Sequence, residues 1–244
     1  SLFDVVQGQH LLKCAFFGAV SHFYPALVEK EVDCNAYSSV NDLFEESVKK
    51  FSSSVAYECM GKTLSFSELD RLSAHFANYL TQELKLAKGS RVAIQMPNVL
   101  QYPVVMFGAL RAGMVVVNTN PLYTPREMEH QFKDSGAKAI VIVANFASSL
   151  EKILGNTSIK HDFVTELGDL LGFTKKQIVN FVVKSVKKMV PAFSLPTSQS
   201  FMDAVSKGAS QTWTKPTCHW PTCTFIIVFV LTPFFIDWVF ADLS

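Results

Sequence analysis

Side chains able to do chemistry are few in this sequence, and they stand far apart. Cys218, His219 and Cys223 fall within six residues of one another, and thiolate and imidazole are the donors zinc favours. A zinc site needs a second pair of donors at matching spacing; none follows, so the three read as incidental residues. His75, His130 and His161 are possible bases by type. Proton transfer requires a partner within hydrogen-bond reach, and no nucleophile or carboxylate stands at an interpretable spacing from any of them. They read as surface or loop histidines, and no residue is assigned a catalytic, cofactor-binding or metal-binding role.

A different kind of chemistry is offered by residues 175–193. Ile178, Val182, Val186, Met189 and Val190 can share one side of a helix there, with Lys176, Lys184, Lys187 and Lys188 around the other. That arrangement suits an interfacial helix drawn to anionic lipid. The preferred reading is a surface helix whose apolar face is buried on the domain, although periodicity does not distinguish core from lipid.

The elements that would position these residues follow from pattern. Val40 to Phe51 has helical spacing of Val40, Leu43, Phe44, Val48 and Phe51, which predicts a helix with that face on the core. Val55–Cys59 and Thr63–Phe66 flank Met60-Gly61-Lys62 and predict a hairpin with glycine at the turn. Ser65 and Glu68 can form a capping box, opening a helix that buries Leu69, Leu72, Phe76 and Leu80 and runs to about Leu84. Strands at Arg91–Met96, Met114–Asn118 and Ala139–Val143 alternate with helices at Val99–Arg111 and Pro125–Ser135. Short links between them imply parallel strands joined by right-handed crossovers. The fold class is thus α/β, a mainly parallel sheet flanked by helices and covered on both faces. Gly89, Gly113 and Gly136 are expected to end helices or admit tight turns.

Composition narrows the functional classes. The 244 residues are 49% hydrophobic with a formal net charge of +1, which gives no electrostatic case for nucleic acid. Five cysteines, Cys14, Cys34, Cys59, Cys218 and Cys223, show no CxxC spacing, so a reducing, cytoplasmic setting is expected, with or without peripheral contact at the inner face of the membrane. Leu11 to Val20 is apolar but flanked only by Lys13, too weak for a secretory signal. Residues 1–21 are read as an upstream extension.

Gly61-Lys62-Thr63-Leu64-Ser65-Phe66-Ser67-Glu68-Leu69-Asp70 is similar to the opening hairpin and helix of adenylate-forming enzymes of the AMP-binding superfamily. Lys88 to Asn98, Gln101-Tyr102-Pro103, Gly108 to Gly113, Val117 to His130 and Asp134 to Ile140 resemble, more narrowly, the bacterial long-chain fatty acyl-CoA ligases. The likeness continues through Asn180 to Lys184, Met189-Val190-Pro191 and Ser200-Phe201 to Lys215-Pro216, so that it spans roughly residues 22–216. The resemblance implies a partial N-terminal domain of the adenylate-forming fold. It also implies, for intact members, the joining of a fatty acid to AMP from ATP and Mg2+, followed by acyl transfer to coenzyme A.

Such chemistry concentrates negative charge and calls for a glycine-rich loop whose N–H groups cradle phosphate, together with a lysine. In the resembled family the loop reads Tyr-Thr-Gly-Gly-Thr-Thr-Gly-x-x-Lys-Gly and lies shortly beyond the position of Pro216. Residues 217–244 contain no glycine. The expectation is an inactive fragment, cut before the phosphate loop and binding no cofactor fully, followed by an unrelated apolar tail such as a frameshift would give. A membrane anchor is the rival reading of the tail. Pro216 to Ile236 lacks charge, but Pro221, Pro233 and Asp237 leave less than the roughly 20 apolar residues of a span. A non-catalytic membrane-associated or protein-interaction module is the alternative reading of the whole.

Overall fold

A computed structural model describes residues 37–211. The expectations for residues 1–21 and 217–244, including Cys218, His219, Cys223 and the apolar run, lie outside the described residues. Ser39 starts the first helix, α1 (Val40–Phe51), because its hydroxyl accepts the N–H of Asp42. Strands β1 (Val55–Cys59) and β2 (Lys62–Ser65) then pair antiparallel. Cys59 stands opposite Lys62, so the turn is only Met60-Gly61, and both of its residues have positive φ, 51° and 65°. Glycine carries this geometry freely; methionine does not, and here it serves the twist that two-residue hairpins require.

The capping box forms as the sequence predicts: Glu68 N–H donates to Ser65 Oγ, and Ser65 N–H donates to Glu68 Oε2. It opens α2 (Phe66–Asn78), whose last turn widens to i→i+5 bonding over Tyr79–Glu83. Next come β3 (Arg91–Gln95), α3 (Gln101–Arg111), β4 (Val115–Asn118), α4 (Pro125–Ser135), β5 (Ala139–Val143), α5 (Ala147–Ile153), β6 (His161–Thr165), α6 (Phe173–Phe181), β7 (Gln199–Ser200) and α7 (Phe201–Gly208). Helix α6 also ends in a wide turn, Val182–Val186.

Strands β3 to β7 form one parallel sheet in the order β4-β3-β5-β6-β7. Successive side chains of a strand point to opposite faces, and two cores result. Val92, Ile94, Val116, Val141 and Phe163 pack with Leu69, Phe76, Leu80, Val104 and Phe201 on one face. Ala93, Val117, Ile140 and Ile142 pack with Met128, Phe132, Leu150 and Ile153 on the other. Helices on both faces explain why these strands read as continuous apolar runs.

Helix α2 sits unusually close to two neighbours. A Cβ on Gly108 would meet Phe76 Cδ1 at 2.9 Å, and one on Gly208 would meet the His75 carbonyl oxygen at 1.9 Å. Phe76 fills the junction, edge-on to Phe163 at 5.9 Å and to Phe201 at 5.2 Å. Gly89, Gly113 and Gly136 all take positive φ, as expected of residues that end helices and form turns.

Three expectations change. Leu43 and Phe51 of α1 are more than 40% exposed; Phe44 carries that face inward, stacked on Phe107 at 4.1 Å. Helices α5 and α7 and strands β6 and β7 lie where pattern assigned no element, and α5 has only seven residues. The basic helix expected over 175–193 spans Phe173–Phe181 and its wide turn to Val186.

Candidate functional site

In an open parallel sheet, ligands bind beyond the carboxyl ends of the strands where the chain reverses direction across the sheet. Here the chain passes from β3 to β4 on one side and then to β5 on the other, which places the switch between β3 and β5. Gln95, the last residue of β3, is fully buried and donates Nε2–H to the Asn120 carbonyl at 3.2 Å. Gln131 donates to the Asn118 carbonyl at 2.9 Å, and the Tyr102 hydroxyl donates to Asn118 Oδ1 at 3.0 Å. Burial raises the Tyr102 phenol above its ordinary value, the hydrogen bond to Asn118 opposes this, and Tyr57 adds to it.

The end of β6 carries the densest polar network on this edge. Asp169 accepts from the Thr165 hydroxyl and the Glu166 N–H, both at 2.8 Å, and its other oxygen lies 2.8 Å from Lys176 Nζ. Hydrogen bonding to Asp169 holds the Lys176 ammonium above the usual lysine range. Asn180 donates to Glu166 Oε2 at 2.6 Å and accepts from the Gly168 N–H at 2.8 Å. Gln101, at the start of α3, donates to the Glu166 carbonyl at 2.8 Å. The fit is tight, because a Cβ on Gly168 would stand 2.6 Å from Asn180 Oδ1 and 3.0 Å from the Lys176 carbonyl oxygen.

This network fastens α6 to the sheet by its polar side. Lys176 and Asn180, four residues apart, face inward with Val179 and Val183, whereas Phe173, Ile178, Phe181 and Val186 are 82%, 58%, 63% and 62% exposed. The grouping expected from sequence is thereby corrected. Ile178 and Val186 separate from the partly buried Val182, Met189 and Val190, and Lys176 belongs to the inner side. Lys175 reaches the hairpin turn, donating to the Met60 and Gly61 carbonyls at 3.4 and 3.3 Å.

The histidines stand away from this edge and from one another. His161 opens β6 at the opposite end of the sheet, with its pKa lowered first by burial and then by Lys160. His75 lies in the last turn of α2, lowered by burial and by Arg71, and His130 is exposed on α4. Cys59 is a free thiol whose pKa burial raises. Among the described residues no group of three or more His, Cys, Asp or Glu side chains could hold a metal ion. At the end of β6 the carboxylates of Glu166 and Asp169 are engaged by Asn180 and Lys176.

The sequence had singled out none of Gln101, Glu166 and Asp169 as a partner for α6, nor Asn180 as its inward-facing contact. The one available signal was the pair Lys176 and Asn180, four residues apart at a helical spacing.

A family model described as AMP-binding enzyme matches residues 44–201, and the chain belongs to that family. Its fold is part of the N-terminal domain of adenylate-forming ligases. Over 193 residues it is 51% identical to the long-chain-fatty-acid–CoA ligase of Escherichia coli O6:H1 and 50% identical to that of Haemophilus influenzae; each match covers 79% of this chain and 34% of the relative. The chain thus spans about a third of the length of these curated relatives. Among solved structures, an anthranilate CoA ligase in complex with anthranoyl-AMP is similar with a TM-score of 0.58 at 18% identity, covering 75% of this chain and 30% of that one. Coronafacic acid ligase from Pectobacterium brasiliense gives 0.54 at 17% identity, covering 71% and 29%. These structural likenesses concern the fold alone.

Proposed function

We propose that residues 22–216 are the N-terminal portion of a long-chain fatty acid–CoA ligase. In the intact enzyme, such a ligase would join a fatty acid carboxylate to AMP from ATP and Mg2+ and then pass the acyl group to coenzyme A. The observation that carries this reading is the 51% identity over 193 residues to a ligase of that printed activity. The 244 residues by themselves bind none of these cofactors fully and do not catalyse the reaction. Adenylation needs a cradle of backbone N–H groups and a lysine around developing phosphate charge. Residues 217–244 contain no glycine to build one, and the edge at β6 is lined by carboxylates.

The test is release of AMP from ATP by the purified chain with palmitate, Mg2+ and coenzyme A, beside a full-length ligase. No turnover is expected; turnover above a protein-free blank would contradict the reading.

A second reading is favoured by one specific observation, the outward-facing apolar side of α6. On this reading the basic segment 175–193 makes peripheral contact with the inner face of the membrane from the cytoplasm, either within the ligase or as the working surface of a non-catalytic module. Among the described residues no helix is long and apolar enough to cross a membrane, so contact here means lying on the surface.

A further inference from the structure

Helix α6 carries its polarity in reverse. A helix packed on a domain ordinarily buries an apolar stripe and exposes its polar residues. Here Lys176 and Asn180 are turned inward to Asp169, Glu166 and the Gly168 N–H, and two phenylalanines are turned outward. Phe173, Phe181, Val186 and Ile178 are the four most exposed large hydrophobic residues among those described, and all lie on this helix and its final turn. Their exposure is built in, because the inward face is occupied by hydrogen bonds that no rotation of the helix could keep.

Charge indicates what covers this face. Between Leu170 and Met202 the sequence has five lysines and no aspartate or glutamate, in a chain whose formal charge is only +1 overall. Lys184 and Lys188 are exposed, and Lys184 follows the exposed Phe181 by three residues. Apolar side chains flanked by lysines match a surface that is anionic outside and apolar just beneath, which a bilayer of acidic phospholipid provides. An acidic protein would satisfy the lysines and leave the phenylalanines in water.

We propose that the outward face of α6 is a docking surface for an anionic phospholipid bilayer. Phe173, Ile178, Phe181 and Val186 enter the acyl boundary, and Lys184 and Lys188 lie at headgroup level. The proposal rests on the membrane-contact reading above and gives it residues and an orientation. Asp169, Glu166 and Asn180 act as positioning residues: they fix the helix before it meets lipid, so docking needs no refolding.

The test is co-sedimentation of the 244-residue chain with vesicles of phosphatidylcholine alone and of phosphatidylcholine mixed with phosphatidylglycerol. Binding is expected only to the mixed vesicles. Phe173→Ser with Phe181→Ser should weaken it roughly tenfold, by removing most of the inserted apolar surface. Lys184→Glu with Lys188→Glu should weaken it by more than about tenfold, an effect that fades as salt is raised. Circular dichroism on each variant keeps loss of fold apart from loss of docking, because all four side chains are exposed.

Three results would overturn the proposal: no binding by the unaltered chain, binding unchanged in both variants, or binding that needs the lysines and not the phenylalanines. The last would mean adsorption without insertion. No ATP, fatty acid or coenzyme A enters the assay, so its outcome is independent of the ligase test.

Discussion

Helices α4 and α6 are of similar length and both lie against the same sheet domain, yet they obey opposite rules. Helix α4 begins with a capping box: the Glu127 N–H donates to Thr124 Oγ1, and the Thr124 N–H donates to Glu127 Oε2. Pro125 fills its first turn, and Gly136 closes it in the left-handed conformation at φ 61°. Met128 and Phe132 point inward with no exposure, and the charged residues face water. Helix α6 starts after Gly172 with no side-chain cap, and none of its nine residues is fully buried. What holds α4 is apolar area removed from water; what holds α6 is a set of charge-assisted hydrogen bonds to a neighbouring turn, with Val179 and Val183 packed beside them. The first device makes a scaffold. The second leaves a hydrophobic surface free for something else.

Substitution can break this contrast, and the largest effect is expected in α4. Phe132→Ala should cost about 3–5 kcal/mol, since the ring is fully buried and leaves a cavity. Phe181→Ala, in α6, should change stability by no more than about 0.5 kcal/mol, because the ring is already in water. Urea denaturation of the two variants reads both numbers; equal losses would erase the distinction.

A smaller effect is expected from Asp169→Asn, which keeps the shape and removes the charge that receives Lys176. The side chain is 7% exposed and accepts bonds from Thr165, Glu166 and Lys176. The loss should be about 1.5–3 kcal/mol, the range for hydrogen bonds to a charged group. It should also raise proteolysis within residues 173–186 ahead of global unfolding, as local release of α6 requires. Stability kept together with unchanged cleavage would mean that Asp169 does not hold the helix.

The same contrast explains what was legible in the sequence. The capping residue Ser65 marks a true helix start, and the bounds expected for α1, α4 and β5 match those observed, because each is set by local chemistry. That β3, β4 and β5 run parallel also follows from short links between alternating elements. Helix α6 was legible as amphipathic and basic, but its orientation was not. Periodicity reports that a helix has two faces; only tertiary partners decide which face turns inward.

Those partners are Asp169, seven residues from Lys176, and Glu166, 14 residues from Asn180 and itself held by Gln101 65 residues away, and no local signal ties them to the helix. Strand β6 and helix α5 were missed for a related reason: β6 includes His161 and Asp162 among its five residues and α5 is short, so neither shows a clear period.

The most direct test of the inverted helix is thiol labelling at two neighbouring positions, Phe181→Cys and Val183→Cys, in a chain whose five native cysteines are replaced by alanine. Phe181 is 63% exposed and Val183 is 7% exposed, two residues apart. A maleimide is expected to react with the thiol at 181 at nearly the rate of an unfolded control, and with the thiol at 183 only as fast as the helix opens. Slow labelling at 181 with fast labelling at 183 would mean that α6 packs by its phenylalanines, and the surface described for it would not exist.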